Sequence, residues 1–94
     1  MPDDVPSDVH AVLTQLFAEG ESAALSGEYE TARQTVETAE TVCRNKLSEG
    51  DLRARLLHGC GRVRAALDSA DDIDADAAAA YLRAMDRRLE SVDQ

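Results

Sequence analysis

The chain has 94 residues, with 10 Lys and Arg against 19 Asp and Glu, and therefore a formal net charge of −9. This length forms one small domain, which excludes an enzyme that closes two domains around a cleft. The acidity disfavours nucleic acid and anionic membranes as partners, and no apolar run approaches the roughly 20 residues of a membrane-spanning helix. The acidic N-terminus lacks the features of a secretory signal, so we expect a cytoplasmic protein.

Four amphipathic segments follow one another, and no stretch shows the alternation of a strand. The first begins after Ser7, the expected N-cap, and ends at Gly27, which can take the left-handed position after a helix. The second opens at Glu28, and four threonines lower its intrinsic helix propensity. Its apolar stripe has spacings of three and four residues and consists of Tyr29, Ala32, Val36, Ala39 and Cys43.

The third segment opens at Ser48, where the spacing to Asp51 is similar to that of a capping box. Gly59 and Gly61 lie within its helical pattern, and we expect them to mark a close approach to another helix. The fourth segment is capped by Asp72 or Asp74. Its apolar face consists of Tyr81, Leu82, Met85, Leu89 and Val92.

The sequence thus predicts an all-α fold, a single-domain antiparallel bundle of four helices over residues 1–94. Linkers of two to five residues make consecutive helices antiparallel neighbours. We expect residues 1–6 and 93–94 to be flexible. Because the apolar core of so short a chain is thin, we also expect the domain to form a homodimer.

No pattern of residues indicates a catalytic, cofactor or metal site. Cys43 and Cys60 fall on apolar stripes and are expected to be buried thiols, with a disulfide or a redox or metal role as alternatives. A dyad of either cysteine with His10 or His58 has no local signature, and no zinc-binding spacing is present. We interpret Glu28 and Glu30, and Glu37 and Glu40, as solvated helix faces.

Charge is distributed unevenly along the chain. Residues 1–40 carry a net charge of −8, residues 41–70 of +3 and residues 71–94 of −4. The basic middle segment either faces acidic neighbours within its own bundle or forms a docking face for an anionic partner. Four arginines would form that face: Arg53, Arg55, Arg62 and Arg64. Because no aromatic residues are interleaved with them, nucleic acid is disfavoured as the ligand.

The composition resembles that of salt-adapted archaeal cytoplasmic proteins. Nine of the ten basic residues are Arg, and acidic residues outnumber basic ones about two to one. In molar salt the Debye length is only about 3 Å, so the self-repulsion of such a surface is screened. The resemblance implies a protein that functions at high salt.

The segment from Leu16 to Ala39 resembles a single tetratricopeptide repeat. The resemblance is carried by Gly20, by the turn Gly27-Glu28-Tyr29, and by Ala32, Val36 and Ala39. It implies a helical hairpin in which small residues let the helices approach, and a role in protein interaction or assembly. We therefore expect a non-enzymatic interaction or assembly module without cofactors. The alternatives are a regulator whose third helix contacts an anionic protein or nucleic acid, and a small metal- or thiol-dependent enzyme.

Overall fold

The computed structural model describes residues 5–68 and 72–92 and confirms an all-α bundle of four helices. They are α1 (Ser7–Leu25), α2 (Tyr29–Lys46), α3 (Asp51–Asp68) and α4 (Ala75–Val92). None of these helices is long and apolar enough to cross a membrane. Of the ends that we expected to be flexible, residues 1–4 and 93–94 lie outside the described residues, and Val5 packs against the core.

Each helix packs against two others, so that the four form a closed ring in chain order with α4 against α1. α1 and α3 lie at opposite corners of this ring, as do α2 and α4. The bundle is elongated, with extents of 43 × 19 × 18 Å. Arg33 near the start of α2 donates a hydrogen bond to the carbonyl of Leu67 at the end of α3, as expected for antiparallel neighbours.

The core consists largely of the stripes that the sequence predicts, and Phe17 and Leu13 are among its largest fully buried side chains. The prediction is wrong for Val12 and Leu25, which the spacing places on the stripe of the first helix but which are 46% and 54% exposed. The remaining large buried side chains are aliphatic or thiol groups: Leu56, Leu67, Leu82, Leu89, Val36, Val63, Cys43 and Cys60. Small residues are buried between these larger side chains. Those that are fully or almost fully buried are Ala24, Ala32, Ala39, Ala78 and Ala79.

The turn between α1 and α2 confirms the role predicted for Gly27, whose φ is +81°. Its N–H donates to the carbonyl of Ala24, and the next N–H, of Glu28, donates to the carbonyl of Ala23. These two bonds form a Schellman motif, which satisfies carbonyls at the end of α1 and reverses the chain. Tyr29 packs against the core directly after this turn.

Gly20 contributes to two helix contacts and not only to the α1–α2 hairpin. A Cβ atom placed on it would lie 3.3 Å from Cδ1 of Leu82 on α4 and 3.7 Å from Cγ2 of Thr35 on α2. A larger side chain would therefore push α4 away first. The glycine lies where three helices meet.

Two predicted helix starts differ from the observed ones, by one residue at α1 and by three at α3. Ser7 is the first helical residue of α1 and not its cap; Pro6 precedes it, and no side chain caps the helix. α3 begins at Asp51, three residues after Ser48, and the Asp51 carboxylate accepts a hydrogen bond from Nε of Arg55 at 2.8 Å. At α4 the prediction is confirmed, because Oδ1 of Asp74 accepts a hydrogen bond from the N–H of Ala77 at 3.0 Å.

The four helices are nearly neutral. They contain 11 acidic and 10 basic residues, whereas the segments that join or flank them contain eight acidic residues and no basic one. α1 carries three acidic residues and no basic one, and α3 carries four arginines and two aspartates. The acidic and the basic helix therefore occupy opposite corners of the ring.

Candidate functional site

The four arginines of α3 project to two different sides of the helix. Arg55 and Arg62 lie on the side of α4, where Nη2 of Arg62 is 3.4 Å from the hydroxyl of Tyr81 and its guanidinium carbon is 5.8 Å from the Tyr81 ring centroid. Arg53 and Arg64 lie on the side of α2. The structure thus does not bring the four together on one surface.

On the α2 side, Arg64 contacts a carboxylate that the sequence analysis placed in solvent. Glu40 is only 5% exposed, which corrects our interpretation of Glu37 and Glu40 as a solvated face. Its Oε1 lies 2.9 Å from Nε of Arg64, and its Oε2 lies 3.7 Å from Nη2 of Arg44. A buried carboxylate needs such cations, because desolvation without a partner is very costly. The ion pair between Glu40 and Arg64 therefore links α2 to α3.

On the opposite side of α3 a groove runs between α3 and α4, which we call the α3–α4 groove. Its volume is about 330 Å³. The residues that line it are Ala54, Arg55, His58 and Gly59 of α3 and Tyr81, Ala84, Met85 and Arg88 of α4. A concave surface with an apolar floor and a few polar groups at its rim is the usual form of a binding site.

The floor of the groove is formed by the contact of Gly59 with Met85. A Cβ atom on Gly59 would lie only 2.5 Å from Sδ and 2.8 Å from Cγ of Met85, so any side chain here would displace the methionine. The prediction that Gly59 marks a close helix approach is confirmed. The same prediction is wrong for Gly61, because no atom of residues 5–68 and 72–92 lies within 4 Å of a Cβ placed there.

The rim of the groove is cationic. Arg55 is paired with Asp51, whereas neither Arg88 nor His58 has a hydrogen bond or ion pair among residues 5–68 and 72–92. None of the eight lining residues is acidic. The groove thus offers positive charge and donors around an apolar floor, in a chain whose net charge is −9.

Cys43 and Cys60 are free and fully buried, as their positions on apolar stripes predict. Burial raises the pKa of Cys43 from 9.0 to about 11, and the nearby Glu40 carboxylate adds to this rise. Burial also raises the pKa of Cys60 to about 12, with a further contribution from Cys43. The Cys60 thiol donates to Sδ of Met85 at 4.0 Å. Both groups are therefore protonated at neutral pH and packed as small apolar side chains.

His58, a candidate partner for these thiols, is exposed on the rim of the α3–α4 groove, whereas Cys60 faces the core. His10 lies half-buried on α1. Across the described parts of the chain, no three His, Cys, Asp or Glu side chains are grouped so that they could hold a metal ion.

Of the residues that line the groove, the sequence assigned only Arg55 to a possible interaction face. The α4 half consists of Tyr81, Ala84, Met85 and Arg88, whose spacings of three, one and three residues place them along one helix face. This stripe borders the apolar face that the sequence does reveal. Whether this stripe lies opposite Arg55 and His58 depends on how α3 and α4 are rotated about their axes, which the sequence of either helix does not determine.

Comparison with known proteins adds a family but no function. No curated protein and no solved structure matches the chain. One family, described as a domain of unknown function (DUF8101), matches residues 1–91. Since the match covers all four helices up to the last turn of α4, the chain belongs to the DUF8101 family.

Proposed function

We propose that this domain is a small, non-enzymatic protein-interaction or assembly module that binds an acidic, amphipathic protein segment in the α3–α4 groove. The observation that carries the proposal is the arrangement of Arg88 and His58, two basic side chains without partners in the described structure, beside the apolar floor of Gly59 and Met85. A protein segment that carries carboxylates as well as an apolar side chain would complement the basic side chains and the apolar floor of the groove.

The shape and chemistry of the groove favour a protein segment over a nucleic acid. A phosphate backbone would use the cations but leave the apolar floor without a contact. Arg53 and Arg64 lie on the far side of α3, so only half of the basic residues of this helix could reach one ligand. The one aromatic ring among the residues that line the groove is that of Tyr81, and the guanidinium of Arg62 lies 5.8 Å from its centroid, so little of it is left for base stacking.

Two further properties complete the proposal. The acidic, arginine-rich composition favours a salt-adapted archaeal cytoplasm as the setting, and the α1–α2 hairpin is similar to a tetratricopeptide repeat, an element common in assembly proteins. Self-association, which we expected as a homodimer, would add buried surface to a domain that has few large apolar residues.

The test is a pull-down from native cells at native salt, with the tagged wild-type domain and two charge variants. Arg88→Glu reverses a charge at the groove, and Lys46→Glu makes the same change in net charge at the end of α2. We expect a bound protein to be recovered with the wild type and with Lys46→Glu. With Arg88→Glu, recovery should be lost if the ligand is another protein and reduced if it is an untagged copy of the chain, because that copy still offers its own groove. Capture of the same proteins in equal amounts by all three would contradict the proposal. Recovery of nucleic acid with the wild type alone would favour the alternative function, a regulator whose third helix contacts an anionic partner.

A further inference from the structure

The outer surface of α1 carries an apolar residue between two carboxylates. Val12 is 46% exposed and, with Leu25, is one of two large hydrophobic side chains exposed in the described part of the chain. Asp8 and Glu19, four residues before and seven residues after it, fall on the same helix face. Both are exposed, and neither forms an ion pair within the described residues. We call these three residues the α1 stripe.

The α1 stripe faces away from α4. Glu21 forms an ion pair with Arg83 of α4, with Oε2 lying 3.0 Å from Nε. Glu21 is nine residues from Val12, which is two and a half turns at about 3.6 residues per turn, so the two point in opposite directions. The α1 stripe therefore lies on the side of the bundle formed by α1 and α2. The α3–α4 groove lies on the other side.

The stripe and the groove complement each other in charge and in polarity. The stripe offers two carboxylates beside a valine, and the groove offers Arg55, His58 and Arg88 beside its apolar floor. The helices that bear them have opposite net charges, since α1 has no basic residue and α3 has twice as many arginines as aspartates. Of the four helices, α1 has the largest excess of acidic over basic residues.

The spacing along the two surfaces agrees for Asp8 and Val12. With a rise of about 1.5 Å per residue, Asp8 lies about 6 Å from Val12 along the helix axis, and Arg55 lies about 6 Å from Gly59. Val12 can thus rest on the Gly59–Met85 floor while Asp8 reaches the end of the groove where Arg55 and Arg88 lie.

We propose that the α3–α4 groove binds the α1 stripe of a second copy of this chain. This inference rests on the proposed function and names its partner. Because the two surfaces lie on opposite sides of one bundle, the contact is heterologous. In each pair one copy keeps its groove free and the other keeps its stripe free for a further copy. The assembly is then a ring or a linear stack, and not the two-fold dimer that we expected from the sequence.

Disulfide cross-linking tests the contact directly. One chain carries Val12→Cys and another carries Ala84→Cys, which lies in the groove. The native thiols interfere little, because both are buried and have raised pKa values. At native salt, we expect the mixed pair to cross-link about tenfold more than a control pair of Thr38→Cys and Ala84→Cys, as a tenfold preference in association requires. Thr38 is exposed on α2.

Each cysteine variant tested alone distinguishes a two-fold contact from a heterologous one. Strong cross-linking of Val12→Cys alone, or of Ala84→Cys alone, would indicate a two-fold contact and overturn the proposal, as would a mixed pair no better than the control. Charge reversal gives a second readout. Adding Asp8→Arg to the Val12→Cys chain should reduce the mixed cross-link, and adding Arg88→Glu to its partner should then restore it.

The two proposals can fail separately. If the pull-down captures a different protein through Arg88 and the mixed cross-link is absent, the groove is an interaction site but its occupant is not this chain. If the cross-link forms, the partner is identified whatever else the pull-down recovers. A groove that gives neither result contradicts both proposals.

Discussion

Gly59 and Gly61 provide a matched pair for measuring how tightly α3 and α4 pack. Both lie within α3, and replacing either with Ala gains about 1 kcal/mol of helix propensity. They differ in what the new methyl group meets. At Gly59 it would lie 2.5 Å from Sδ of Met85, whereas at Gly61 it would have no neighbour within 4 Å in the described part of the chain.

The expected magnitudes follow from this geometry. Ordinary van der Waals contact begins at about 3.4 Å, so Gly59→Ala must move the Met85 sulfur by nearly 1 Å within a well-packed interface. Overpacking of this kind costs about 1–3 kcal/mol. After the propensity gain, Gly59→Ala should reduce the free energy of unfolding by up to about 2 kcal/mol, and Gly61→Ala should increase it by about 1 kcal/mol.

Thermal unfolding followed by circular dichroism, at one salt concentration, is sufficient to compare the variants. For a domain of this size 1 kcal/mol corresponds to about 4–8 °C in the melting temperature, so the two midpoints should lie well apart. In a Met85→Ala background the clash is absent, and Gly59→Ala should then stabilise as Gly61→Ala does. Equal stabilisation by both substitutions in the wild-type background would refute the packing that forms the groove floor.

Three further measurements follow from the structure. Glu40→Gln should reduce the free energy of unfolding by about 1–3 kcal/mol in chemical denaturation because Arg64 loses its buried partner, whereas the exposed Glu37→Gln should change it by less than about 0.5 kcal/mol. Above pH 9 the two thiols lose their protons in the unfolded chain, whereas in the folded chain Cys43 and Cys60 retain them up to about pH 11 and 12. The free energy of unfolding should therefore fall as the pH rises through this range. A variant with both cysteines changed to Ala should show a flatter pH profile. Lowering salt from molar to millimolar should reduce the unfolding midpoint, and an unchanged midpoint would contradict the salt-adapted interpretation.

Local signals in the sequence were sufficient for most of the fold. Stripes with spacings of three and four residues predict the buried faces of the helices, and Gly27 and Asp74 mark helix ends because only certain residues suit those backbone positions. Ser7 and Ser48 carry similar signals but lie before or within a first turn that forms without them. A capping pattern thus indicates that a helix begins nearby and fixes its first residue only within a few positions.

The residues that the sequence did not reveal depend on contacts between helices. Glu40 looks like its exposed neighbour Glu37 until α3 places Arg64 beside it. Gly59 and Gly61 are equivalent along the chain, and only the position of Met85 distinguishes them. Rotation of one helix against another determines such pairs, and that rotation is set by packing of the whole core.

The near-neutrality of the helices gives the molecule a strongly anisotropic surface. The described residues of the segments that join the helices include four acidic side chains and no basic one, and they lie at the ends of a body 43 Å long: Glu28, Glu49, Asp72 and Asp74. Two such bodies repel each other when they meet tip to tip and much less when they lie side by side. The same charge that keeps the protein dispersed thus leaves its flanks available for contact, and changes in ionic strength should act mainly on the tips.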